Sequence, residues 1–291
     1  MIVYVSSYPR SENSRVRGII TRHFRYSVTE VYGEKIEGNW QPGSKWQLVL
    51  ASGAPSGWDA SLIWNKYTAL LYPTQNHGIA AKSLSIRRIL LPGCRTLLQD
   101  PTARFRLAAE DNRFFIKTHE SPFNEYFTGE QTVFVVRHPG PTLLSYYHFL
   151  NNLNNLTPNI SSERFITKDE LIEGSVQYGD WSQFLSAYHA HIPRKLRHVI
   201  RYEDFDEDYS ETLKKLAEFL GLPHWGHHPI RFTDLQKKNP LMYRLGTNSG
   251  YERHFSRAQL LRLWMRHGAM AESYGYTPPD LSQAGDGTDP V

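Results

Sequence analysis

Four short apolar runs in this chain each hand over to residues that can manage negative charge. Tyr8-Pro9-Arg10-Ser11 follows Ile2–Val5, Lys117-Thr118-His119 follows Phe114–Ile116, Arg137-His138-Pro139 follows Thr132–Val136, and Arg201-Tyr202-Glu203-Asp204 follows His198–Ile200. Fixed cations and hydroxyls hold phosphate and neutralise the charge that develops in group transfer. The planar guanidinium of Arg137 suits a forked grip on phosphate better than a lysine would. A histidine among them can serve as a general base, since an unperturbed imidazole is about half neutral near pH 6.5. The first loop, SSYPRSENS at 6–14, adds backbone N–H groups and the positive end of a following helix, with Arg10, Ser11 and Ser14 as further partners. That is how phosphate is cradled without a metal. Glu12 stands in the middle of this loop, where an inward carboxylate would repel phosphate. It is expected to turn outward and pair with Arg15 or Arg17 while its N–H still faces the ligand.

These groups meet only if the runs are strands of one sheet. Each run is followed by polar residues rather than a hairpin turn, and helical patterns lie between and after them, so an α/β fold with a parallel sheet is expected. Ligands then bind beyond the carboxyl ends of the strands. Val16, Ile19, Ile20, His23 and Phe24 repeat at helical spacing behind the first loop, with Asn13 or Ser14 as N-cap. Asp208 and Glu211 have capping-box spacing ahead of the stripe Leu213, Leu216, Ala217, Leu220, which Gly221 and Pro223 end. Residues 33–80, rich in Trp, Tyr, Gly and Pro, and 150–175, which opens on the asparagine-heavy LNNLNNLTPNISS, read as insertions or loops on the acceptor side of the site. Residues 277–291 have no apolar spacing and are expected as a disordered tail.

The totals narrow the function. With 291 residues, 40% hydrophobic and 13% aromatic, the chain can bury one large core. A net charge of +4 is too mild for a dedicated nucleic-acid binder and fits a small polyanion. The single cysteine, Cys94, excludes an intrachain disulfide and a cysteine zinc cage. No apolar run approaches the roughly 18 residues of a membrane span, and no leader pattern is evident, so a soluble cytoplasmic protein is expected. His224, His227 and His228, and likewise His189 and His191, lack a neighbouring carboxylate ligand, and no metal site is expected. No Walker loop exists; Gly38 to Lys45 has Ser44 and Lys45 in reversed order, which disfavours a nucleotide kinase. Each residue also has a plainer reading. Arg10 and Arg137 are surface charges if taken singly, His119 a hydrogen-bonded structural histidine, Tyr202 a core residue, and Glu203 and Asp204 partners of nearby cations.

Taken together, the motifs resemble those of the sulfotransferases that use 3′-phosphoadenosine 5′-phosphosulfate. YPRSENS is similar to that family's 5′-phosphosulfate loop, FIKTHESP to its KTH segment, VVRHPGPTLLSYYHF to its 3′-phosphate motif, VIRYEDFDED to its RYED, and RLGTNSGYERHF (244–255) to its late glycine loop. The order is the family's own, across residues 8 to 255. The resemblance implies a P-loop-like three-layer fold in one domain over 1–276, with this nucleotide as sulfuryl donor and no metal. It implies that Arg10 neutralises the 5′-phosphate and leaving oxygen, with Ser11, Glu12, Asn13, Ser14 and Arg15 as loop contacts. It further implies that Arg137 and Ser145 hold the 3′-phosphate with Arg244, Leu245 and Gly246, that Tyr202 faces the adenine, and that Lys117 and His119 lie beside the transferring group. The acceptor would be a small molecule or glycan, and the KTHE form resembles branches acting on carbohydrates or natural-product alcohols rather than phenols. Three departures stand out: Glu12 replaces a glycine, Arg15 an aromatic and Leu245 a lysine. They keep open a relative of the same fold that binds adenosine bisphosphate without catalysis. Oligomeric state is left open.

Overall fold

The computed structural model describes residues 1–26, 28–32, 68–71, 87–90, 94–151, 165–225, 229–230, 233, 236–237 and 249–287. Its core is a five-stranded, all-parallel sheet of β1 (Ile2–Ser7), β2 (Val28–Glu30), β5 (Phe114–Thr118), β6 (Glu130–Val136) and β7 (Arg197–Arg201), in the order β2-β5-β1-β6-β7. β3 (Thr68–Leu71) and β4 (Arg87–Leu90) form a separate antiparallel pair. The four expected strands all lie in the parallel sheet. β2 is an addition, its three residues being too short to show a period in the sequence.

β1 is central and all six of its residues are buried, as a strand covered on both faces requires. Val3, Val5, Phe115, Val133, Val135 and Ile200 face one helical layer, α1 (Asn13–Ile19) with its π-helical continuation Ile20–Phe24, and α8 (Tyr209–Leu220). On the other face, Ile2, Tyr4, Phe114 and Ile116 pack on α2 (Arg95–Gln99) and α3 (Pro101–Ala108). Phe134 and Val136 pack there on α4 (Pro139–Asn151), α5 (Lys168–Glu173), α6 (Trp181–His191) and α9 (Arg257–Glu272). The result is a three-layer α/β fold. α7 (Asp204–Glu207), a single turn after β7, adds Phe205 to the layer of α1 and α8.

α8 begins and ends as its sequence indicates: Asp208 Oδ1 accepts from Glu211 N–H at 3.0 Å, and Gly221 takes the left-handed conformation at φ 58°. α1 does not. Its N-cap is Glu12, at φ 66° and without a side-chain capping bond, because Asn13 spends its amide on the carbonyl of Val5 (2.9 Å) and on Ser7 Oγ (3.3 Å).

Residues 277–287 also differ from the expected disordered tail. Asp280 caps a 3-10 turn at Leu281–Gln283, Gly285 bridges to Ser256, and Lys168 donates to the carbonyl of Gly287 at 3.0 Å. Leu281 and Ala284 give the segment apolar contacts with the core. Those two side chains are too few to make a period in the sequence. Residues 33–67, 72–80 and 152–164, and with them most of the two expected acceptor-side insertions, lie outside the described residues. No helix among the described residues is long and apolar enough to cross a membrane.

Candidate active site

Because every strand of the sheet runs the same way, the four charged sequences emerge along one edge. Ser6 pairs with Thr118, Ser7 with Val135, and Val136 with Arg201, so the loops behind them start level with one another. The loop after β1 is held tightly. Tyr8 is fully buried and donates its hydroxyl to the carbonyl of Gly179 at 2.9 Å, while Ser11 N–H turns back to the carbonyl of Tyr8 at 3.3 Å. Arg10 and Glu12 both take positive φ, 68° and 66°. Two non-glycine residues in this region are costly, of the order of 1–2 kcal/mol each, and such strain collects where a loop is shaped for a ligand.

Arg10 Nε donates to Ser145 Oγ at 3.1 Å, across from the first turns of α4, and its guanidinium lies 5.1 Å from the ring of Phe149. This brings together two residues expected on opposite ends of a bisphosphate. Arg137, buried at the end of β6, sits over the ring of Tyr202 at 4.2 Å. One face of the tyrosine expected against adenine therefore carries a guanidinium. Ser14 is half-buried in the first turn of α1. Arg244, Leu245 and Gly246 lie outside the described residues.

The expectation for Glu12 holds in its partner, Arg15, and fails in its direction. Its side chain is only 8% exposed and lies 3.7 Å from Arg15, turned into the protein; Arg17 instead pairs with Glu30 at 2.6 Å. Burial pushes the carboxyl up to about 7, against the pull of Arg15 and Arg137 toward the anion. Arg15 stands where the related motif carries an aromatic. It is buried, bonds Asp206 at 2.6 Å and lies 5.7 Å from the ring of Phe205.

His119 is fixed through Nδ1, 2.7 Å from the carbonyl of Ser7. A carbonyl only accepts, so Nδ1 carries the hydrogen and Nε2 keeps the lone pair. The backbone N–H of His119 donates to the Tyr32 hydroxyl at 2.8 Å, and the rings of Tyr32 and Tyr178 flank the imidazole at 6.1 and 5.7 Å. Burial first, then Lys117, Arg17 and Arg10, pushes His119 down to about 3. The half-neutral imidazole expected from its ordinary range is replaced by one that is neutral throughout the physiological range. Lys117 is likewise lowered by burial, and lies 3.7 Å from Glu30 and 5.0 Å from the Tyr32 ring. Ser7, Glu30, Tyr32, Tyr178 and Asp206 were not legible as site residues. Ser7 and Asp206 lie inside quoted motifs but their types alone mark no role, Glu30, Tyr32 and Tyr178 lie outside every motif, and Tyr32 is 87 positions from the histidine it supports.

Other polar groups near the strand ends make local contacts. Asp204 accepts from Arg201 Nε and N–H, both at 2.8 Å, and Glu203 from the Tyr276 hydroxyl at 3.0 Å. His189 bonds Tyr274, and His138 bonds the carbonyl of Thr277. Among the described residues, no three His, Cys, Asp or Glu side chains converge on a metal position.

The same edge leaves buried polar atoms without hydrogen-bond partners: Ser11 Oγ, Glu12 Oε1, Asn13 Oδ1, Arg15 Nε and Nη1, and Tyr202 Oη. Native interiors rarely leave such atoms unpaired. Their gathering around Arg10 and Arg137 fits a ligand rich in both donors and acceptors, as a nucleotide bisphosphate is. On the other side of the edge, a cavity of about 260 Å³ is lined by Tyr4, Ser6, Phe123, Tyr126, Tyr188 and the neighbours of His119, Thr118 and Glu120.

The chain is a three-layer α/β protein whose parallel sheet collects cations, hydroxyls and a fixed imidazole at its carboxyl edge. Residues 70–266 match the sulfotransferase domain family, and the chain belongs to it. It is 31% identical over 128 residues to Sulfotransferase 6B1 of Danio rerio, covering 42% of each chain. It is 32% identical over 91 residues to Sulfotransferase 2A6 of Mus musculus, covering 31% of each. The matched segments thus span less than half the length of these curated relatives. Among solved structures, mouse sulfotransferase SULT7A1 complexed with PAP superposes with a TM-score of 0.55 at 16% identity, over 94% of this chain and 87% of that one. Retinol dehydratase in complex with androsterone and inactive cofactor PAP gives 0.52 at 15% identity, over 96% and 82%. These two likenesses bear on the fold.

Proposed function

We propose that this protein transfers the sulfuryl group of 3′-phosphoadenosine 5′-phosphosulfate to an acceptor hydroxyl by in-line displacement. The acceptor is a small molecule or glycan, a carbohydrate or natural-product alcohol rather than a phenol, met in the cytoplasm. The bound nucleotide supplies an activated sulfuryl group on a phosphate leaving group; the chain supplies position and charge. Arg10, Ser11, Asn13, Ser14 and the loop N–H groups hold the 5′ end, with Glu12 and Arg15 beside them. Arg137 and Ser145, with Arg244, Leu245 and Gly246, take the 3′-phosphate, and Tyr202 the base. Lys117 offsets charge at the transferring end.

The observation that carries this reading is the His119 imidazole, neutral and tied by Nδ1 to the Ser7 carbonyl, which leaves Nε2 to take the acceptor proton beside Lys117 and Arg10. The cavity flanked by Thr118 and Glu120 supports a compact acceptor with some apolar surface. Transfer of radiolabelled sulfuryl to a panel of sugars, alkyl alcohols, steroids and phenols tests it. Removing a general base costs roughly 10²–10⁴-fold, so His119→Ala should lose that much transfer while still binding 3′-phosphoadenosine 5′-phosphate.

A second reading, a binding module of the same fold without transfer, is favoured by one observation, the buried acid at position 12. Tight nucleotide binding by the wild type with no transfer to any acceptor of the panel would decide for it.

A further inference from the structure

Glu12 brings a carboxyl group into the field of Arg137, the residue that the nucleotide reading assigns to a phosphate. Its Oε2 is 3.7 Å from Arg15 Nη1, beyond hydrogen-bond range, and its Oε1 has no partner. Arg15 gives its short bond, 2.6 Å, to Asp206 instead. Oε1 has therefore lost water without gaining a hydrogen bond, and that loss favours the neutral acid. The charged and titratable groups facing it are Arg15 of α1, Arg137 beyond β6, Tyr202 beyond β7 and Asp206 of α7. Burial first, and Asp206 after it, push toward the acid, while the two arginines pull toward the anion.

A phosphate arriving at Arg137 adds negative charge beside this group and tips the balance further. A neutral carboxyl has one O–H to donate, and phosphate and ribose oxygens accept. We propose that Glu12 meets the bound nucleotide as a neutral carboxylic acid that donates its O–H to a ligand oxygen, so that donor affinity falls as the solution becomes alkaline. The inference rests on the nucleotide reading of the loop. No bond is made or broken beyond the proton: it enters from solvent on binding and returns on release.

The linkage has a fixed sign. In the free protein burial holds the carboxyl near about 7. Above that value binding must take up a proton, and affinity weakens by at most about tenfold per pH unit. Below it the proton is already present and affinity is independent of this group.

Calorimetric titration of 3′-phosphoadenosine 5′-phosphate from about pH 6 to about pH 8.5, in two buffers of different ionisation enthalpy, tests the inference on wild type and Glu12→Gln. Glutamine keeps the shape and an N–H donor but cannot titrate. The ligand's own phosphate ionisation, near pH 6, is common to both proteins and cancels in their ratio. The expected result is a wild-type Kd that rises by roughly tenfold relative to Glu12→Gln across the alkaline half of the range, with uptake of up to one extra proton. A ratio that stays flat while both proteins bind overturns the role of Glu12 and leaves the nucleotide site standing. Glu12→Gly binding more than about tenfold tighter than wild type at pH 6 overturns it too, because the neutral acid would then be an obstacle. No binding by either protein at any pH overturns the nucleotide reading itself, and this inference with it.

Discussion

At the residue scale, two buried groups are moved in ways that their identity alone does not reveal. His119 is neutral well below its ordinary range, held down by burial and by Lys117. The kcat/KM of sulfuryl transfer should therefore show no acid limb near pH 6.5 from this group, and a profile that halves there would contradict the assignment. Glu12 is moved the other way, to about 7. A carboxyl raised in the folded state contributes stability that is complete below the unfolded value of about 4.5 and lost as pH rises toward 7. Glu12→Gln lacks that loss. Its thermal midpoint should gain on wild type between these limits and hold a constant advantage above them, worth up to about 3 kcal/mol; an advantage that shrinks with rising pH would be the wrong sign. Residue types were legible here while their environments were not. The spacing of YPRSENS identifies an anion loop, yet whether Glu12 turns in or out depends on Arg137 and Asp206, more than a hundred positions away.

At the element scale, the helices that frame the site depend on a few local devices. Asp208 caps α8, and Asp208→Ala should cost about 1 kcal/mol, read as a lowered midpoint in urea with unchanged slope. Gly140 is more demanding. A Cβ there would stand 2.1 Å from the ring of Tyr251, which packs the 3-10 turn Tyr251–His254 against the start of α4. Gly140→Ala should cost about 1–3 kcal/mol by overpacking, and a midpoint unchanged from wild type would mean that this approach is not as close as described. α8 was readable because cap, stripe and stop agree within one segment. The beginning of α1 was not, because the side chain of Asn13 is drawn back to β1 by Val5 and Ser7.

At the scale of the whole molecule, the two edges of the sheet do different work. The amino edge carries stability: Glu130 is fully buried, accepts from the Tyr4 hydroxyl at 2.6 Å and lies 3.1 Å from Arg104 Nε. Removing one partner of a buried pair costs roughly 3–5 kcal/mol, so Arg104→Met should unfold at markedly lower denaturant while its nucleotide Kd stays within about twofold of wild type. The carboxyl edge carries the chemistry, and parallel strands alone bring Arg10, Lys117, His119 and Arg137 there from distant parts of the chain. That gathering was legible because each apolar run ends in its own charged motif; the packing of Tyr32 and Tyr178 around the histidine, and of Glu30 beside Lys117, was not, since nothing local marks them. The most direct measurement of the whole arrangement is a calorimetric titration of 3′-phosphoadenosine 5′-phosphate into wild type and Arg137→Ala. One site per chain is expected, weakened by about 10- to 150-fold in the variant, as loss of a charge-assisted bond of about 1.5–3 kcal/mol requires. Equal binding by both proteins, or none by wild type, would contradict it.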